Sequence, residues 1–394
     1  MATKTFPISL LVLHTLHLLL LCSLLNSTWA KPTTYNVLDF GGKPDGSTDS
    51  TKALLSAWNK ACGSGKPASI HVPHGKFLIG RPVTFRGQCA NKAISITIHG
   101  TLVAPFEYSS IGKALHWLMF DQVSGVSIHG GVLDARGTSL WDCKHKPKAN
   151  CPIGATTIVF RNSKHIVCTG LTCLNSQMFH VVIIGCHNVK VHGLKVLAAG
   201  NSPNTDGIHI QFSTDVTILK PRIRTGDDCI SIGPGTRNLW IQDVACGPGH
   251  GISIGSLGWN LNEPGVENVT VRMATFSKTQ NGFRIKCWGR PSKGFVLDVH
   301  FEHATMTDVQ NPILIDQKYC PYHNHCPSQA SGVKISDISY KDIHGTSATL
   351  VAVKFECSSQ DPCERIRLED VKLTYKNQAT RALCNHADGT ALGI

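Results

Sequence analysis

The most prominent pattern along the chain is a repeated alternation of apolar and polar residues. From about residue 157 onward the motif apolar-x-apolar-x-x-apolar-x-apolar recurs, for example at 189–196 and again at 216–223. Alternation with a period of two predicts β-strands, because successive side chains of a strand point to opposite faces. A shorter alternating strand precedes most copies of the motif, as at 208–210 and 230–232. Each repeat therefore contains several short strands.

The spacing of the copies predicts the architecture. Their first apolar residues lie 23 to 37 residues apart, a period typical of a solenoid in which each repeat forms one coil. A β-sandwich would instead place short strands roughly 8 to 12 residues apart, without similarity between whole units. We therefore predict an all-β protein, a right-handed parallel β-helix that forms a single domain over residues 31–394.

A helix is predicted at the N-terminal end of the solenoid, where an open coil needs a cap. Thr48 or Asp49 is a suitable N-cap residue for it. One face of the following segment is apolar and carries Leu54, Leu55, Trp58, Ala61 and Cys62. This face is expected to cover the first coil.

Charge restricts the kind of partner. The 38 Lys and Arg residues outnumber the 26 Asp and Glu residues, which gives a formal net charge of +12. A basic excess favours polyanions, whether nucleic acid, anionic lipid or an acidic polysaccharide. Only 16% of the residues are charged and 7% are aromatic, a composition that argues against a charge-rich helical bundle, a coiled coil or a disordered chain.

The N-terminus favours the polysaccharide among these partners. Lys4 precedes a long apolar stretch at 8–25, and small residues follow up to Ala30. This order is typical of a secretory signal peptide at 1–30, cleaved after Ala30. The alternative is a membrane anchor, since the stretch is almost long enough to span a bilayer, but two histidines interrupt it. We expect a secreted, extracellular protein with no later membrane segment and no nucleic acid partner.

Sixteen cysteines fit an oxidising compartment. Cys22 lies within the predicted signal peptide, so fifteen remain and at least one cannot pair within the chain. Four pairs close short loops and are candidate disulfides: Cys143–Cys151, Cys229–Cys246, Cys320–Cys326 and Cys357–Cys363. No Cys-x-x-Cys pair with a matching pair of histidines is present in the sequence, so no metal site is predicted.

Three of the short strands align with one another at a constant spacing of 22 residues. The residues that come just before these strands are Asp206, Asp228 and His250. Equivalent residues in adjacent coils of a parallel β-helix lie about 4.8 Å apart. The three side chains are therefore expected to form a ladder, with Asp227 beside its second rung.

The next coil brings two cations to the same face. Arg284 and Lys286 align with His209 and Gln211, at positions that alternate with the core residues and therefore point outward. Turn chemistry alone explains Asp-rich tripeptides, but not the alignment of three carboxylates, an imidazole and two cations. Clustered carboxylates are typical of glycoside hydrolysis, and the cations suit a carboxylated sugar.

Four motifs in this region resemble those of the family 28 glycoside hydrolases, the polygalacturonases. They are Asn204-Thr-Asp-Gly, Gly226-Asp-Asp, Gly249-His-Gly and Arg284-Ile-Lys, in the order typical of the family. The likeness covers nearly the whole mature chain, and the fold of that family is a right-handed parallel β-helix. It implies a secreted cell-wall enzyme that cleaves α-1,4-galacturonosyl linkages of homogalacturonan with inversion at the anomeric carbon.

The resemblance also implies catalytic roles at the matching positions. Asp227 is expected to be the general acid that protonates the glycosidic oxygen. Asp206 and Asp228 are expected to activate the attacking water, and His250 to maintain the hydrogen bonds and protonation of the acid.

Four further residues are implied in substrate binding. Asn204 would support the carboxylates, while Arg284 and Lys286 would bind the carboxylate of a galacturonate unit, helped by Tyr319. A neutral sugar would not need two cations beside the catalytic carboxylates, so polygalacturonate is the expected partner.

The resemblance also indicates where along the polymer the enzyme cuts. Segments such as 345–349 are similar to pollen-type exo-acting members, so exo action is favoured over endo action. Two rival functions stay open: a calcium-dependent pectate lyase and a non-catalytic cell-wall-binding protein.

Asn268, in Asn-Val-Thr, is the one glycosylation sequon of the mature sequence. We expect a monomer that needs no cofactor.

Overall fold

A computed structural model describes residues 32–147, 149–321 and 325–393. The helices are α1 (Thr51–Gly63), α2 (Ser109–Gly112) and α3 (Thr138–Lys144), and a 3-10 turn spans Val37–Phe40. The strands in chain order are β1 (Thr33–Asn36), β2 (Asp45–Asp49), β3 (Ala68–Val72), β4 (Lys76–Leu78), β5 (Val83–Arg86), β6 (Ile94–Ile98), β7 (Thr101–Val103), β8 (His116–Asp121), β9 (Ser124–His129), β10 (Val132–Asp134), β11 (Thr156–Arg161), β12 (Lys164–Thr169), β13 (Thr172–Leu174), β14 (Val181–Ile184), β15 (His187–His192), β16 (Lys195–Leu197), β17 (Ile208–Gln211), β18 (Thr214–Leu219), β19 (Arg222–Arg224), β20 (Ile230–Ile232), β21 (Arg237–Cys246), β22 (Ile252–Leu257), β23 (Val266–Ser277), β24 (Asn281–Cys287), β25 (Phe295–Val309), β26 (Asn311–Asp316), β27 (Lys334–Ser347), β28 (Val351–Glu356), β29 (Cys363–Tyr375), β30 (Gln378–Ala379), β31 (Arg381–Asn385) and β32 (Ala387–Leu392).

Apart from the antiparallel pair β29 and β30, the strands stack in parallel, each on the equivalent strand of the next coil. One sheet contains eleven strands, among them β17, β20, β22 and β24 in adjacent positions. The other 21 strands form a second sheet that covers the remaining faces. In the early coils two short strands such as β15 and β16 share that surface, and from β21 onward one long strand replaces them. The predicted parallel β-helix is confirmed.

Ladders of apolar residues hold the coils in register. Ile208, Ile230, Ile252 and Phe283 are successive register partners in the eleven-stranded sheet, and none is exposed. Burying each such side chain stabilises the fold by about 1.5–3 kcal/mol relative to leaving it exposed. A slip of one residue would turn all of them outward, so this ladder fixes the positions of the polar residues that alternate with it.

Helix α1 packs its apolar face on the N-terminal end of the core, where Leu54, Trp58 and Ala61 are buried. Leu55 and Cys62 lie at the edge of this contact and are only partly buried. The predicted N-cap was wrong. Strand β2 continues through Asp49, which places Ser50 in the N-cap position, while Asp49 accepts a 2.9 Å hydrogen bond from the amide of Thr51.

The described residues contain five disulfides, and four of them are the predicted pairs. The predicted bonds are Cys143–Cys151, Cys229–Cys246, Cys320–Cys326 and Cys357–Cys363. The fifth joins Cys62, near the end of α1, to Cys89, and loop length did not suggest it because 27 residues separate the two. The thiols left over include four buried ones and the exposed Cys384.

The predicted signal peptide and the predicted glycosylation site lie in different parts of the chain. The signal peptide predicted at 1–30 lies outside the described residues and stays a prediction. Among the helices of the described ranges, none is long and apolar enough to cross a membrane. Asn268 is exposed in β23, where its amide donates a 2.9 Å hydrogen bond to Oδ1 of Asn238.

Candidate active site

The three aligned strands hold their polar residues in successive coils, as the spacing predicted. Strands β17, β20 and β22 pair in register, and the turns that lead into them carry Asp206, Asp228 and His250. The backbone amide of Gly207, next to Asp206, donates a 2.9 Å hydrogen bond to the carbonyl of Asp228. The first two turns are therefore directly stacked.

Asp228 is a buried anion held by three donors. Its Oδ1 accepts hydrogen bonds from Ser253 at 2.9 Å and Arg284 at 2.7 Å, and its Oδ2 accepts one from Lys286 at 2.8 Å. Burial by itself would raise the pKa of Asp228, but the charges of Lys286 and Arg284 outweigh burial and lower that pKa to about 2. Asp228 is therefore ionised at any physiological pH.

Asp206 is in the opposite electrostatic situation. It is almost fully buried, and its Oδ2 accepts a 2.7 Å hydrogen bond from Ser231. Burial, together with the negative charges of Asp227 and Asp228, raises the pKa of Asp206 well above its usual range. Adjacent coils thus hold one aspartate with a raised pKa, Asp206, and one with a lowered pKa, Asp228.

Asp227 is the most accessible of the three carboxylates. Its side chain is 20% exposed, and its Oδ1 lies 3.1 Å from Nδ1 of His250 and accepts a 2.8 Å hydrogen bond from the amide of Asp228. His250 is fixed through its backbone, since its amide donates to the carbonyl of Asp227 and its carbonyl accepts from Asn281. The predicted contact between Asp227 and His250 is present.

The two cations point toward the carboxylates rather than freely outward. Arg284 and Lys286 are 8% and 7% exposed, and both contact Asp228. The ring of Tyr319 lies beside them, with its centroid 5.3 Å from Nζ of Lys286 and 6.0 Å from the guanidinium carbon of Arg284. The residues predicted to bind a uronate therefore form one group with the three clustered carboxylates.

A cleft of about 310 Å³ opens on this group. It is lined by Asn204, Asp206, Asp227, Lys286 and Tyr319, all of which were predicted as site residues. Asn204 is exposed and adopts a left-handed backbone conformation in the turn before Asp206. Phe179, His209 and Glu263 also line the cleft and had no predicted role.

Sequence reasoning missed the residues that support the turns of Asp206 and Asp228. His180 is fully buried, and burial lowers its pKa to about 4, so it is neutral. Its Nε2 accepts a hydrogen bond from the amide of Ser176, and its Nδ1 lies 3.1 Å from the carbonyl oxygen of Thr205, to which it donates. The hydroxyls of Thr205 and Thr225 are 2.8 Å apart and join the first turn to the second. Long-range contacts of this kind leave no local motif.

Asp227, Asp228 and His250 place ligand atoms within 4.8 Å of one another, as a metal site requires. Calcium, however, takes six to eight oxygen ligands, and here one donor is an imidazole nitrogen. Both oxygens of Asp228 already contact the side chains of Arg284 and Lys286. This donor set does not suit the calcium chemistry of the pectate lyase alternative.

Comparison with known proteins supports the predicted resemblance to the family 28 glycoside hydrolases. Residues 62–391 match the family model described as glycosyl hydrolases family 28. The chain is 61% identical over 371 residues to a polygalacturonase of Prunus persica, covering 94% of each chain. It is 43% identical over 352 residues to an exopolygalacturonase of Oenothera organensis, covering 88% of this chain and 96% of that one.

Solved structures agree on the fold. An endo-xylogalacturonan hydrolase from Aspergillus tubingensis superposes with a TM-score of 0.80 at 23% identity, over 88% of this chain and 96% of the other. A polygalacturonase from Erwinia carotovora superposes with a TM-score of 0.71 at 26% identity, over 89% and 96%. With this fold, this match and these relatives, the chain belongs to family 28 of the glycosyl hydrolases.

Proposed function

We propose that this protein hydrolyses the α-1,4-galacturonosyl linkages of polygalacturonate by inverting acid and base catalysis. The observation that carries the proposal is one cleft lined by Asp206, Asp227 and Lys286, with the buried Asp228 paired to both Lys286 and Arg284. The carboxylates supply an acid and a base, and the cations complement the negative charge of each uronate unit. The names of the plant relatives, polygalacturonase and exopolygalacturonase, point the same way.

Asp227 is the general acid in this proposal. It is the most exposed of the three clustered aspartates and lines the cleft, so a glycosidic oxygen can reach it. As the bond from the anomeric carbon to that oxygen breaks, the proton of Asp227 passes to the leaving oxygen. His250, at 3.1 Å from Oδ1, orients the carboxyl group.

Asp206 and Asp228 together activate the water. Asp228 remains anionic because Lys286 and Arg284 hold its pKa at about 2. Asp206 lines the cleft, and its raised pKa makes its ionised form a stronger base than an ordinary carboxylate. The water loses its proton to Asp206 as its oxygen bonds to the anomeric carbon, so every proton is accounted for.

Lys286 and Tyr319 form the uronate-binding side of the cleft, and Arg284 lies beside the ring of Tyr319. The ammonium of Lys286 has three donors, and only one is needed for its contact with Asp228. A uronate carboxylate that enters the cleft can therefore share this cation with Asp228. A methyl ester at the same place would carry no charge and would lose this interaction.

We further propose that the enzyme acts from the end of the polymer and works outside the cell, as a single chain. The exo assignment is supported by relatives named exopolygalacturonase at 41% and 43% identity. The extracellular assignment is supported by five disulfides, which persist in oxidising compartments.

Digestion of a defined galacturonate oligomer tests the proposal. An exo-acting hydrolase releases the smallest product from the first minutes and leaves reducing ends without ultraviolet absorbance. Early products of intermediate size would assign endo action instead. Unsaturated, ultraviolet-absorbing products would show a lyase, and an unchanged oligomer would leave only a binding protein.

A further inference from the structure

A second groove lies on the outer surface, outside the catalytic cleft. Its volume is about 290 Å³, and its lining residues include Lys195, Leu197, Arg222, Arg224, Ala245 and Thr275. These residues come from β16, β19, β21 and β23, which are the successive coils of one face. The groove shares no lining residue with the cleft, but Arg224 lies only three positions before Asp227 in the chain.

Three cations stand close together at one end of this groove. Lys195 and Arg222 are register partners on β16 and β19, so their backbones are about 4.8 Å apart. Arg224 lies two residues further along β19, on the same outward side and about 7 Å from Arg222. All three side chains are exposed, so this end of the groove has a concentrated positive charge.

The cations are available to a ligand. Within the described ranges, neither Lys195 nor Arg224 forms an ion pair with a carboxylate of the chain. Arg222 is held in place by Asp243, whose carbonyl oxygen is 2.6 Å and whose Oδ1 is 3.1 Å from the guanidinium. One cation is thus oriented and two are free to contact an anion.

The remainder of the groove suits an extended sugar chain. Beyond the cations the lining includes the small residues Ala245 and Gly247 and the hydroxyl-bearing Thr275 and Ser277. Leu197 is 42% exposed and offers an apolar surface to the face of a sugar ring. The four coils extend the groove over about 14 Å along the solenoid axis, which is enough for several sugar units.

We infer that this groove binds a segment of the polyuronate substrate away from the catalytic cleft. The inference rests on the proposed function, because that function supplies the polyuronate. A chain segment held here would raise the effective concentration of the same polymer at the nearby cleft. Short oligomers, which cannot reach both places, would gain nothing from it.

The test compares two double variants of equal charge in an Asp227→Asn background. Lys195→Ser/Arg224→Ser empties the groove of its free cations. Lys164→Ser/Lys190→Ser is the matched control, since both lysines are exposed on β12 and β15. Affinity electrophoresis in gels containing polygalacturonate measures binding at low salt, and circular dichroism checks the fold of each variant.

We expect the groove variant to bind polygalacturonate about tenfold more weakly, as two lost charge contacts imply, and the control to bind within about twofold of its parent. With Asp227 restored, kcat/KM should fall on the polymer and stay unchanged on trigalacturonate. Equal losses in both double variants, or no loss in either, would overturn the inference. If the unmodified protein failed to cleave trigalacturonate, the proposed function would fall, while the binding comparison would still report on the groove.

Discussion

The hydroxyl of Ser231 donates a 2.7 Å hydrogen bond to Oδ2 of Asp206 in the preceding coil. One coil further on, Ser253 makes the equivalent 2.9 Å hydrogen bond to Asp228. The serines are register partners, so the fold repeats the same contact. The two carboxylates nevertheless differ in their donors. Asp228 also accepts hydrogen bonds from Arg284 and Lys286. Among the described residues, Ser231 is the one side-chain donor to Asp206.

Ser231→Ala should move the acid limb of the pH profile of kcat/KM to higher pH. The hydrogen bond from Ser231 favours the ionised form of Asp206, so its loss raises the already raised pKa of the base further. Ser253→Ala is the matched control and should leave that limb in place, because two cations still hold Asp228 ionised. An unmoved limb in Ser231→Ala would remove Asp206 from the role of base.

Asp206→Asn should stabilise the fold while it abolishes activity. Burial and two like charges raise the pKa of Asp206, so its ionised form opposes folding above that pKa, and stability is regained as pH falls toward the unfolded value near 3.8. The amide removes this cost. We expect a rise of about 1–3 °C in Tm at neutral pH, with a flatter dependence of Tm on pH.

Asp228→Asn should have the opposite effect on stability. The pKa of Asp228 is lowered to about 2, so its ionised form stabilises the fold above pH 4, and this stability is lost as pH falls toward 2. Substitution leaves Arg284 and Lys286 buried without their anion, which costs about 3–5 kcal/mol. A Tm for Asp228→Asn equal to or above that of Asp206→Asn would contradict this description of the site.

Lys286→Ala should raise KM for polygalacturonate about tenfold or more, because the uronate loses a buried cationic partner. Lys318, an exposed lysine one residue before Tyr319, provides the control, since Lys318→Ala removes the same charge outside the cleft. The unmodified enzyme should turn over fully methyl-esterified pectin poorly for the same reason. Equal rates on esterified and free polymer would show that these cations do not recognise the carboxylate.

The stacking of the turns that carry the carboxylates could be predicted from the sequence because it follows directly from spacing. Asp206, Asp228 and His250 are 22 residues apart, and a constant interval in a parallel β-helix places residues one above another. Alternation also identified Arg284 and Lys286 as non-core residues. It could not show that both cations turn onto Asp228, because the period of a strand determines the face of a side chain and not its partner.

Contacts without a periodic signal were not predictable. His180 supports the turn of Asp206 through a carbonyl 25 residues later in the chain, and no motif marks such a pair. The serines of the two Ile-Ser-Ile segments were visible in the alignment, yet their contact with the carboxylates depends on side-chain rotamers. The bond between Cys62 and Cys89 depends on how α1 docks on the first coils, which the helical pattern alone does not specify.

Removal of that disulfide gives a test of the cap. Cys62→Ala/Cys89→Ala opens a loop of 27 residues and should cost about 3 kcal/mol of stability, with kinetic constants unchanged at moderate temperature. The comparison is Cys320→Ala/Cys326→Ala, which opens a loop of only 6 residues and should cost less. A larger loss of Tm in the second double variant would contradict the loop-length argument.

Turnover of a galacturonate oligomer of defined length by Asp227→Asn tests most directly whether Asp227 is the general acid. The substitution is nearly isosteric and Asn can still accept the hydrogen bond from the amide of Asp228, so the fold and oligomer binding should be retained. The amide has no acidic proton for the leaving oxygen, and loss of general acid catalysis typically costs about 10²–10⁴-fold. We predict that kcat falls by about 10⁴-fold while Kd for the oligomer stays within about twofold. A folded Asp227→Asn protein that retains near-native kcat would show that Asp227 is not the acid.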